Sequence, residues 1–486
     1  MPESHKSVTL HKHAKSGWLW CGIDQFAERG LAMIVSLILA RILGPSAFGL
    51  IASVSIFFGV ASQLIDGGIG QRVLQKEEVT DDDCCALFWC TGLVALLCSS
   101  LLILLSGMIA RFYGNPQIQL IVIAMAVNIF LASASRVQDH LLIRNLQFRV
   151  VSISKIISVI AGCITGLVMA FSGCGIWSLV GQLLVATLVR VGYILVVMPW
   201  RPSKWPSWVA VKGLYEYGLP VFFSSTVKIL ADSLINVLVA KRSSLEALGF
   251  LDRGRVVPQN IGNSLAGIFS RVNFPVLAKL QFDEMALRET YIKFLRISSA
   301  IYFMLMTGLA VCAQDVILVL LGAKWLSSVW FLRASCVVFS IFMIFTANTE
   351  LLRSKGRTGL FFKYNMISAG FQIVGILIGM FWGVKGMVIG DIAARGLICI
   401  PLVMVVSKIS LITVLCQLRA LIRPLAGSAV VAAGLMAVRL TALPLWPRFI
   451  LCCMTGAGII FLYWRTNGFN PADLLVANQR ADKLYK

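Results

Sequence analysis

Residues 84–108, CCALFWCTGLVALLCSSLLILLSGM, decide the fold class because these 25 consecutive positions hold no charged side chain. A helix that crosses the hydrocarbon core of a bilayer needs about 20 mostly apolar residues. Thirteen further stretches meet this requirement, so the sequence predicts an all-α polytopic membrane protein with about fourteen transmembrane helices. The predicted spans are residues 18–43, 46–68, 84–108, 117–136, 151–171, 176–198, 216–240, 247–270, 292–314, 327–350, 360–382, 386–407, 413–438 and 445–464.

The composition supports the same fold class. Of the 486 residues, 58% are hydrophobic and 13% are charged, whereas a soluble domain carries about 25% charged residues. The thirteen cysteines are scattered without a CxxC pair, and the four histidines lie in predicted tails and loops. Because a structural metal site needs clustered Cys and His ligands, the sequence predicts neither a metal site nor a cofactor.

The excess of basic residues predicts the orientation in the membrane. Lysine and arginine number 43 against 22 acidic residues, which gives a formal net charge of +21. With the N-terminus inside, 28 basic residues fall on the inner side of the predicted spans and eight on the outer side. Inner loops of membrane proteins carry such an excess, so both termini are predicted to be cytoplasmic. The spread over many short loops argues against binding of nucleic acid, and the acidic residues within 77–83 are expected to be merely solvated.

Two pairs of similar segments indicate an internal repeat. Residues 40–50 (ARILGPSAFGL) align with residues 240–250 (AKRSSLEALGF), and residues 171–176 (FSGCGI) align with residues 381–387 (FWGVKGM). Six spans per copy make both copies enter the membrane from the same side, which predicts two six-helix lobes related by a parallel pseudo-two-fold repeat. The predicted parts are an N-terminal tail, an N-lobe, a cytoplasmic linker, a C-lobe, two accessory spans and a C-terminal tail, in residues 1–17, 18–198, 199–215, 216–407, 408–464 and 465–486.

Four short motifs carry a resemblance to a known family. Residues 43–50 (LGPSAFGL), 66–72 (DGGIGQR), 248–253 (LGFLDR) and 274–281 (FPVLAKLQ) resemble stretches of the Wzx-type polysaccharide flippases, which belong to the multidrug/oligosaccharidyl-lipid/polysaccharide exporter superfamily. One departure is Phe250-Leu251, where the family usually has two aromatic residues.

The resemblance implies an activity and a location. It implies that the chain lies in a bacterial inner membrane and translocates an undecaprenyl-diphosphate-linked oligosaccharide repeat unit by alternating access. Such transport serves exopolysaccharide, capsule or O-antigen synthesis. The implied partners are the lipid-linked oligosaccharide and the lipid bilayer, together with the polymerase and export machinery that use the product.

Basic side chains within the predicted spans are the candidate substrate-binding residues. An unpaired charge at bilayer depth costs about 2.5–3.5 kcal/mol, so such a residue usually faces a partner or a wet cavity. Arginine forks form two parallel bonds to phosphate oxygens, which suits a diphosphate. The seven intramembrane basic residues are Arg29, Arg190, Lys228, Arg253, Arg255, Arg333 and Arg395. The five predicted to contact substrate are Arg29, Lys228, Arg253, Arg255 and Arg333.

Some of these residues have a carboxylate nearby in sequence. Lys228 and Asp232, like Asp391 and Arg395, are i,i+4 neighbours, and this spacing favours an ion pair within one helix. Arg190 lies near the inner end of its span and is expected to extend its guanidinium to the inner interface.

The remaining arginines leave alternatives open. Arg253 and Arg255 are two positions apart and do not point the same way along a helix, so one of them is expected to pair with Asp252 or to reach the outer interface. Arg333 has no acidic residue nearby in sequence and is therefore a lone cation within its span in the C-lobe. Ligand contact is predicted for Arg333 and for one residue of the Arg253 and Arg255 pair.

Three acidic residues are the candidate coupling or gating residues. Asp24 and Glu28 are i,i+4 neighbours on the first span, and two close carboxylates in a dry site share a proton or a cation. The alternative is that Arg29 neutralises them. Lys228 follows Glu28 by 200 residues at the equivalent repeat position, so a Glu28–Lys228 bridge is a further alternative. Asp232 is the third candidate.

Two other functions compete with the flippase hypothesis. A drug antiporter of the same superfamily carries cationic ligands and would favour a lumen rich in carboxylates. A membrane enzyme acting on polyprenyl-linked sugars needs a sizeable outer loop with acid and base groups, but the predicted outer loops are only about 5–15 residues long. No GxxxxGK[ST] motif for nucleotide binding is present. The sequence therefore predicts a transporter and not an enzyme.

Overall fold

The computed structural model describes residues 30–66, 76, 79–441 and 443–466, with the backbone alone for residues 209–210 and 213–225. These residues are almost entirely helical and contain no strand. The chain divides into two compact units, unit 1 in Met1–Glu246 and unit 2 in Ala247–Lys486. The prediction of an all-α protein is confirmed.

The helices of unit 1 are formed by the apolar stretches of the first half of the chain. They are α1 (Gly30–Leu43), α2 (Pro45–Asp66), α3 (Asp81–Tyr113), α4 (Gln117–Ser133), α5 (Arg136–Arg144), α6 (Phe148–Phe171), α7 (Trp177–Val197) and α8 (Trp208–Arg242).

The helices of the second half follow the same rule, apart from two single-turn 3₁₀ segments at Ala323–Trp325 and Met380–Trp382. They are α9 (Leu245–Lys279), α10 (Glu284–Val311), α11 (Ala313–Leu320), α12 (Ser328–Ser354), α13 (Thr358–Gly379), α14 (Gly383–Ile409), α15 (Val414–Arg439) and α16 (Leu445–Thr466).

Each of the fourteen predicted spans coincides with one of these helices, the first of them from residue 30 onward. In the described residues, nine helical stretches are long and apolar enough to cross a membrane, or ten if the pair α4 and α5, bent by 42°, is one span. One of the nine is the 52-residue stretch Thr358–Ile409, which contains both α13 and α14. The number of fourteen crossings therefore stays a prediction.

An apolar core joins α2, α3 and α4 in unit 1. Val54, Ile121 and Val122 are fully buried in it. The hydroxyl of Ser99 donates to the carbonyl of Ala126 at 2.9 Å and links α3 to α4. The close packing of these apolar side chains gives unit 1 a well-packed centre.

The centre of unit 2 is α10, which packs against α12 and α15. Leu287 and Met304 of α10 are fully buried. The buried hydroxyl of Tyr302, also on α10, donates to the carbonyl of Gly262 and ties α10 to α9. In unit 2, α9, α12 and α15 therefore pack around α10.

The repeated segments adopt the same local structure in the two units. Helices α1 and α2 meet at Gly44, and α8 and α9 meet at the aligned residues 243–244. Gly173 between α6 and α7 has a φ of +78°, and the aligned Gly383 at the start of α14 has a φ of +75°. Only glycine adopts this backbone conformation readily, so the aligned glycines mark equivalent turns.

The residues before α8 are held against the first turn of α3. Trp200 Nε1 donates to Asp81 Oδ1 at 3.0 Å, and the Ser203 hydroxyl donates to Asp81 Oδ2. The Trp205 ring stacks on Trp89 with 4.0 Å between ring centres. The expectation of mere solvation is wrong for Asp81, because its carboxylate is a hydrogen-bond acceptor for residues about 120 positions away. Glu77 and Glu78 of the same run lie outside the described residues.

Candidate functional site

Three of the predicted substrate-binding arginines lie around one helix crossing in unit 2. At this crossing, Gly254 of α9 lies so close to α12 that an added Cβ would be 2.7 Å from Phe331 Cβ. Arg253 and Arg255 flank this glycine on α9, and Arg333 follows the crossing by two positions on α12. A side chain at position 254 would push the helices apart, so the glycine allows α9 and α12 to pack closely at the level of these arginines.

Arg253 is the member of this group that pairs with a carboxylate. Its Nε and Nη2 atoms donate to Asp252 Oδ2 at 2.9 and 2.7 Å, and 12% of the Arg253 side chain is exposed. The predicted alternative that one of the two neighbouring arginines pairs with Asp252 is confirmed. Arg255 is half-buried.

Arg333 is exposed and has a different environment. Its Nε atom donates to the carbonyl oxygen of Ala310 at 3.3 Å, near the C-terminal end of α10. The end of a helix carries a partial negative charge that attracts a cation. Among the described residues, Arg333 forms no ion pair with a carboxylate. It is thus the predicted site residue whose charge is least compensated within the part of the chain that the structure describes.

Lys228 and Asp232 form the predicted pair on α8 in unit 1. Lys228 Nζ lies 3.7 Å from Asp232 Oδ2, and 57% and 44% of the two side chains are exposed. Asp24, Glu28 and Arg29 lie outside the described residues. Their coupling role, the neutralisation by Arg29 and the Glu28–Lys228 bridge therefore stay predictions.

Two further intramembrane arginines are paired with acids. Arg395 Nε donates to the buried Asp391 at 2.9 Å, so the predicted pair on α14 is confirmed. Arg190 Nη2 donates to both carboxylate oxygens of Asp139 at 3.1 Å. The expectation that Arg190 extends to the inner interface stays a prediction, and its partner Asp139 lies in the predicted inner segment between the spans 117–136 and 151–171. Of the six intramembrane basic residues that the structure describes, four lie in ion pairs with carboxylates.

A small cavity in unit 2, mostly apolar but bordered by a carboxylate, was not predicted. It lies among α9, α10 and α12, holds about 30 Å³ and is bordered by the buried residue Glu350. Glu350 Oε1 accepts from Ser270 Oγ at 2.9 Å and from Arg353 Nη1 at 3.0 Å. Glu350 Oε2 is buried and has no hydrogen-bond partner in the described chain. The volume has room for about two water molecules, which excludes a sugar diphosphate from this cavity.

A second unpredicted cluster joins the accessory helices to the rest of unit 2. Asp315 of α11 is fully buried, with Arg448 Nη2 of α16 at 2.6 Å and Arg439 Nε of α15 at 3.6 Å. Arg439 Nη1 also donates to the carbonyl of Val311 at 2.6 Å. Two arginines from the α15–α16 hairpin thus hold one carboxylate beside the end of α10. The only sequence signal was the position of both arginines next to one predicted turn.

The described residues contain no group of three or more His, Cys, Asp or Glu side chains that could hold a metal ion. The functional candidates are therefore the charged groups of the helices.

Comparison with known proteins identifies the family. Residues 38–330 match the family described as "Polysaccharide biosynthesis protein". The chain belongs to this family. It is 26% identical over 388 residues to the lipopolysaccharide biosynthesis protein WzxC of Escherichia coli (strain K12), and the match covers 76% of each chain.

Solved structures show the fold of this family member. The lipid II flippase MurJ in an inward closed conformation superposes with a TM-score of 0.73 at 13% identity, over 92% of this chain and 99% of MurJ. An inward-facing multidrug resistance MATE transporter of the MOP superfamily gives a TM-score of 0.60 at 13% identity, over 81% of this chain and 98% of the transporter. The predicted exporter fold and the resemblance to Wzx-type proteins are confirmed.

Proposed function

We propose that this polysaccharide biosynthesis protein is a flippase that moves an undecaprenyl-diphosphate-linked oligosaccharide repeat unit across the membrane by alternating access. The observation that carries the proposal is the combination of its family with a flippase-like fold in which the exposed Arg333 has only a backbone carbonyl as partner among the described residues. A transporter with this fold exchanges access by rocking of its two repeats.

The charges of the crossing suit an anionic group. Arg333 has an exposed guanidinium, and arginine binds phosphate oxygens through a planar fork of donors. Arg253 and Arg255 on the other side of the crossing add positive charge near it, although Asp252 compensates part of that charge. We assign Arg333 the main contact with the diphosphate, with Arg253, Arg255, Lys228 and Arg29 as further contacts.

Some carboxylates are proposed to serve coupling or gating. Asp24, Glu28 and Asp232 are the proposed residues, and the Lys228–Asp232 pair is a contact that a changed protonation state would weaken. A multi-pass protein of this composition belongs in a membrane, and we place it in the inner membrane with both termini in the cytoplasm. Contact with the polymerase and export machinery on the far side is part of the same proposal.

Gene deletion followed by lipid analysis tests the proposed function. A deletion strain should accumulate the diphosphate-linked oligosaccharide on the cytoplasmic leaflet, because synthesis continues while translocation stops. Complementation with the wild-type gene should remove this accumulation and restore the polymer. Unchanged polymer output in the deletion strain would argue against a flippase, and raised sensitivity to cationic drugs with normal polymer would favour the antiporter.

A further inference from the structure

Helices α10 and α15 of unit 2 run side by side in a fixed register. Tyr291 of α10 donates to Gln417 of α15 at 3.5 Å. Farther along both helices, Met304 Cε lies 2.2 Å from where a Cβ on Gly427 would be. Arg296 lies between these two contacts on α10, and Arg423 lies between them on α15. The register therefore places the two arginines at neighbouring levels.

The third helix of this region is α16, which brings a tyrosine to the same level. The Tyr463 ring lies against Gly427, with Cε2 2.8 Å from the position of an added Cβ. Arg423 precedes Gly427 by one helical turn and therefore shares its face. The positive charges of Arg296 and Arg423 both act on the Tyr463 hydroxyl. Three helices thus bring two guanidinium groups and one hydroxyl together.

The positive charge of this group is not compensated within the described residues. The Nε atom of Arg296 is buried without a hydrogen-bond partner, and Arg423 is exposed. Neither side chain forms an ion pair with a carboxylate in the part of the chain that the structure describes. The excess of basic residues in inner loops explains arginines at the surface, but it does not explain a guanidinium with a buried, unbonded N–H.

The predicted spans place the group in the inner half of the membrane. Arg296 and Tyr463 lie within a few residues of the inner ends of the predicted spans 292–314 and 445–464. Arg423 lies about ten residues into the span 413–438, or about 15 Å along the helix, and arginine side chains are long enough to extend toward the interface from such a position. Exposed apolar side chains of Ile422, Phe461 and Leu462 lie next to the group and offer a surface for acyl chains.

We propose that Arg296, Arg423 and Tyr463 form a binding site for the phosphate group of an anionic lipid in the inner leaflet. Two guanidinium groups and a hydroxyl supply the charge-assisted donors that phosphate oxygens require, and basic pockets between transmembrane helices are known to bind anionic headgroups. A phosphate here would join α16, of which Cys452 is the only buried residue in Leu445–Thr466, to α10 and α15. The bound lipid would act as part of the structure of unit 2.

Native mass spectrometry of the purified full chain tests this site. The probes are phosphatidylglycerol, cardiolipin, undecaprenyl phosphate and, as a zwitterionic control, phosphatidylethanolamine. Wild-type protein should retain the anionic lipids in preference to phosphatidylethanolamine. The variant Arg296→Gln/Arg423→Gln should bind the retained lipid at least about tenfold more weakly, because it removes both guanidinium donors to the phosphate.

Matched variants keep the result interpretable. Arg271→Gln removes an exposed arginine on α9 and should leave lipid retention unchanged. Arg296→Lys/Arg423→Lys should restore much of the binding because it restores the charges, and Tyr463→Phe, which removes only a hydroxyl, should weaken binding without affecting folding.

Competition between probes identifies the source of the phosphate. If undecaprenyl phosphate displaces phosphatidylglycerol at equal concentration, the site belongs to the carrier lipid. If phosphatidylglycerol displaces undecaprenyl phosphate, the site belongs to membrane phospholipid. Equal retention of every probe by the wild type and by the folded Arg296→Gln/Arg423→Gln variant would overturn the proposal. Because binding is measured in detergent, the result does not depend on whether the chain translocates an oligosaccharide.

Discussion

Intramembrane cations in this chain differ chiefly in what compensates their charge. Arg190, Arg253 and Arg395 each have a carboxylate within 3.1 Å, so the energetic cost of burying them is offset by their own partner. Arg333 has only a backbone carbonyl. A ligand phosphate therefore gains most from Arg333, because no carboxylate competes for it among the described residues.

The first prediction concerns this arginine. Arg333→Ala should reduce polymer export at least about tenfold, because one charge-assisted bond to phosphate is lost, while Arg333→Lys should retain part of the activity. Export is measured in a deletion strain that expresses each variant at equal level. Arg357→Ala, in the exposed turn after α12, is the control and should export normally. Full export by Arg333→Ala would remove this residue from the site.

The second prediction concerns Asp315. Asp315→Asn removes the carboxylate charge but leaves Arg439 and Arg448 in place, and breaking a buried ion pair in this way costs about 3–5 kcal/mol. The melting temperature of the purified protein should therefore fall clearly. Asp315→Asn/Arg448→Gln should destabilise less than the sum of the two single changes, and additive effects would show that the two residues do not interact.

The ion pairs show which part of the site was predictable from sequence. Lys228–Asp232 and Asp391–Arg395 were predictable because i,i+4 residues of any helix are neighbours. The partner of Arg190 lies 51 residues away and that of Arg448 lies 133 residues away, so only the packing of helices brings these pairs together. No acidic residue lies one helical turn from Arg190 in the sequence, so its partner was not predictable from spacing.

At the scale of the elements, closely packed glycines decide how two helices meet. An added Cβ at Gly375 of α13 would be 2.4 Å from the carbonyl oxygen of Gly390 of α14, whereas an added Cβ at Gly370 has no atom within 4 Å. Small residues that let helix backbones approach closely are typical of membrane helix pairs. The close packing of α13 against α14 therefore requires a glycine at position 375 but not at position 370.

The third prediction follows from this difference. Gly375→Ala should destabilise the purified protein by about 1–3 kcal/mol because the methyl group overlaps backbone, whereas Gly370→Ala should leave stability unchanged or raise it by about 0.5–1 kcal/mol. Thermal unfolding in detergent measures both. Equal melting temperatures for the two variants would show that α13 and α14 are not in close contact.

The residues before α8 give the fourth prediction. Asp81→Asn/Asp82→Asn should expose the Lys204–Trp205 bond to trypsin, because it weakens the hydrogen bonds from Ser203 and Ser207. The rate of limited proteolysis is the measurement. The control variant Glu289→Gln changes an exposed acid of α10 and should be cut at the wild-type rate. A wild-type rate for the Asp81→Asn/Asp82→Asn variant would show that these contacts do not hold the linker.

The same contacts have a defined pH dependence. Hydrogen bonds from Ser203 and Trp200 hold the pKa of Asp81, which precedes the predicted span 84–108, below its usual value of 3.8. A carboxyl group with a lowered folded pKa contributes stability that is present above the unfolded pKa and is lost as the pH falls through the folded pKa. The Trp89–Trp205 stack should therefore be constant from pH 8 to pH 5 and weaken only below pH about 3.8. The emission difference between wild type and Trp205→Phe measures this.

The long helices were predictable because each contains a long apolar stretch. Short helices were missed because they contain no such stretch. Helices α5 and α11 have 9 and 8 residues and contain polar groups, so no hydrophobic stretch marked them. Both carry carboxylates that pair with distant arginines, Asp139 with Arg190 and Asp315 with Arg448. The short helices thus hold the contacts that sequence periodicity does not reveal.

At the scale of the whole molecule, the number of membrane crossings depends on the helices that carry charges. Helices α8 and α9 are 35 residues each, yet neither is among the nine stretches that are apolar enough to span by composition. Lys228 and Asp232 on α8 pair with each other, and Asp252 and Arg253 on α9 do the same, which lowers the cost of placing these helices in a bilayer. The pairing supports the prediction that both helices cross.

The fifth prediction tests that topology with fusions to alkaline phosphatase, which is active only outside the cytoplasm. Fusions at Ser244 and Gly322 should be active, and fusions at Lys204, Gly356 and Lys486 should be inactive, since each predicted span reverses the side of the chain. The same inactive positions should give fluorescent fusions with green fluorescent protein, which controls for expression. Matching activity at Lys204 and Ser244 would mean that α8 does not cross. Equivalent helices of the two repeats would then run in opposite directions, contrary to the predicted parallel repeat.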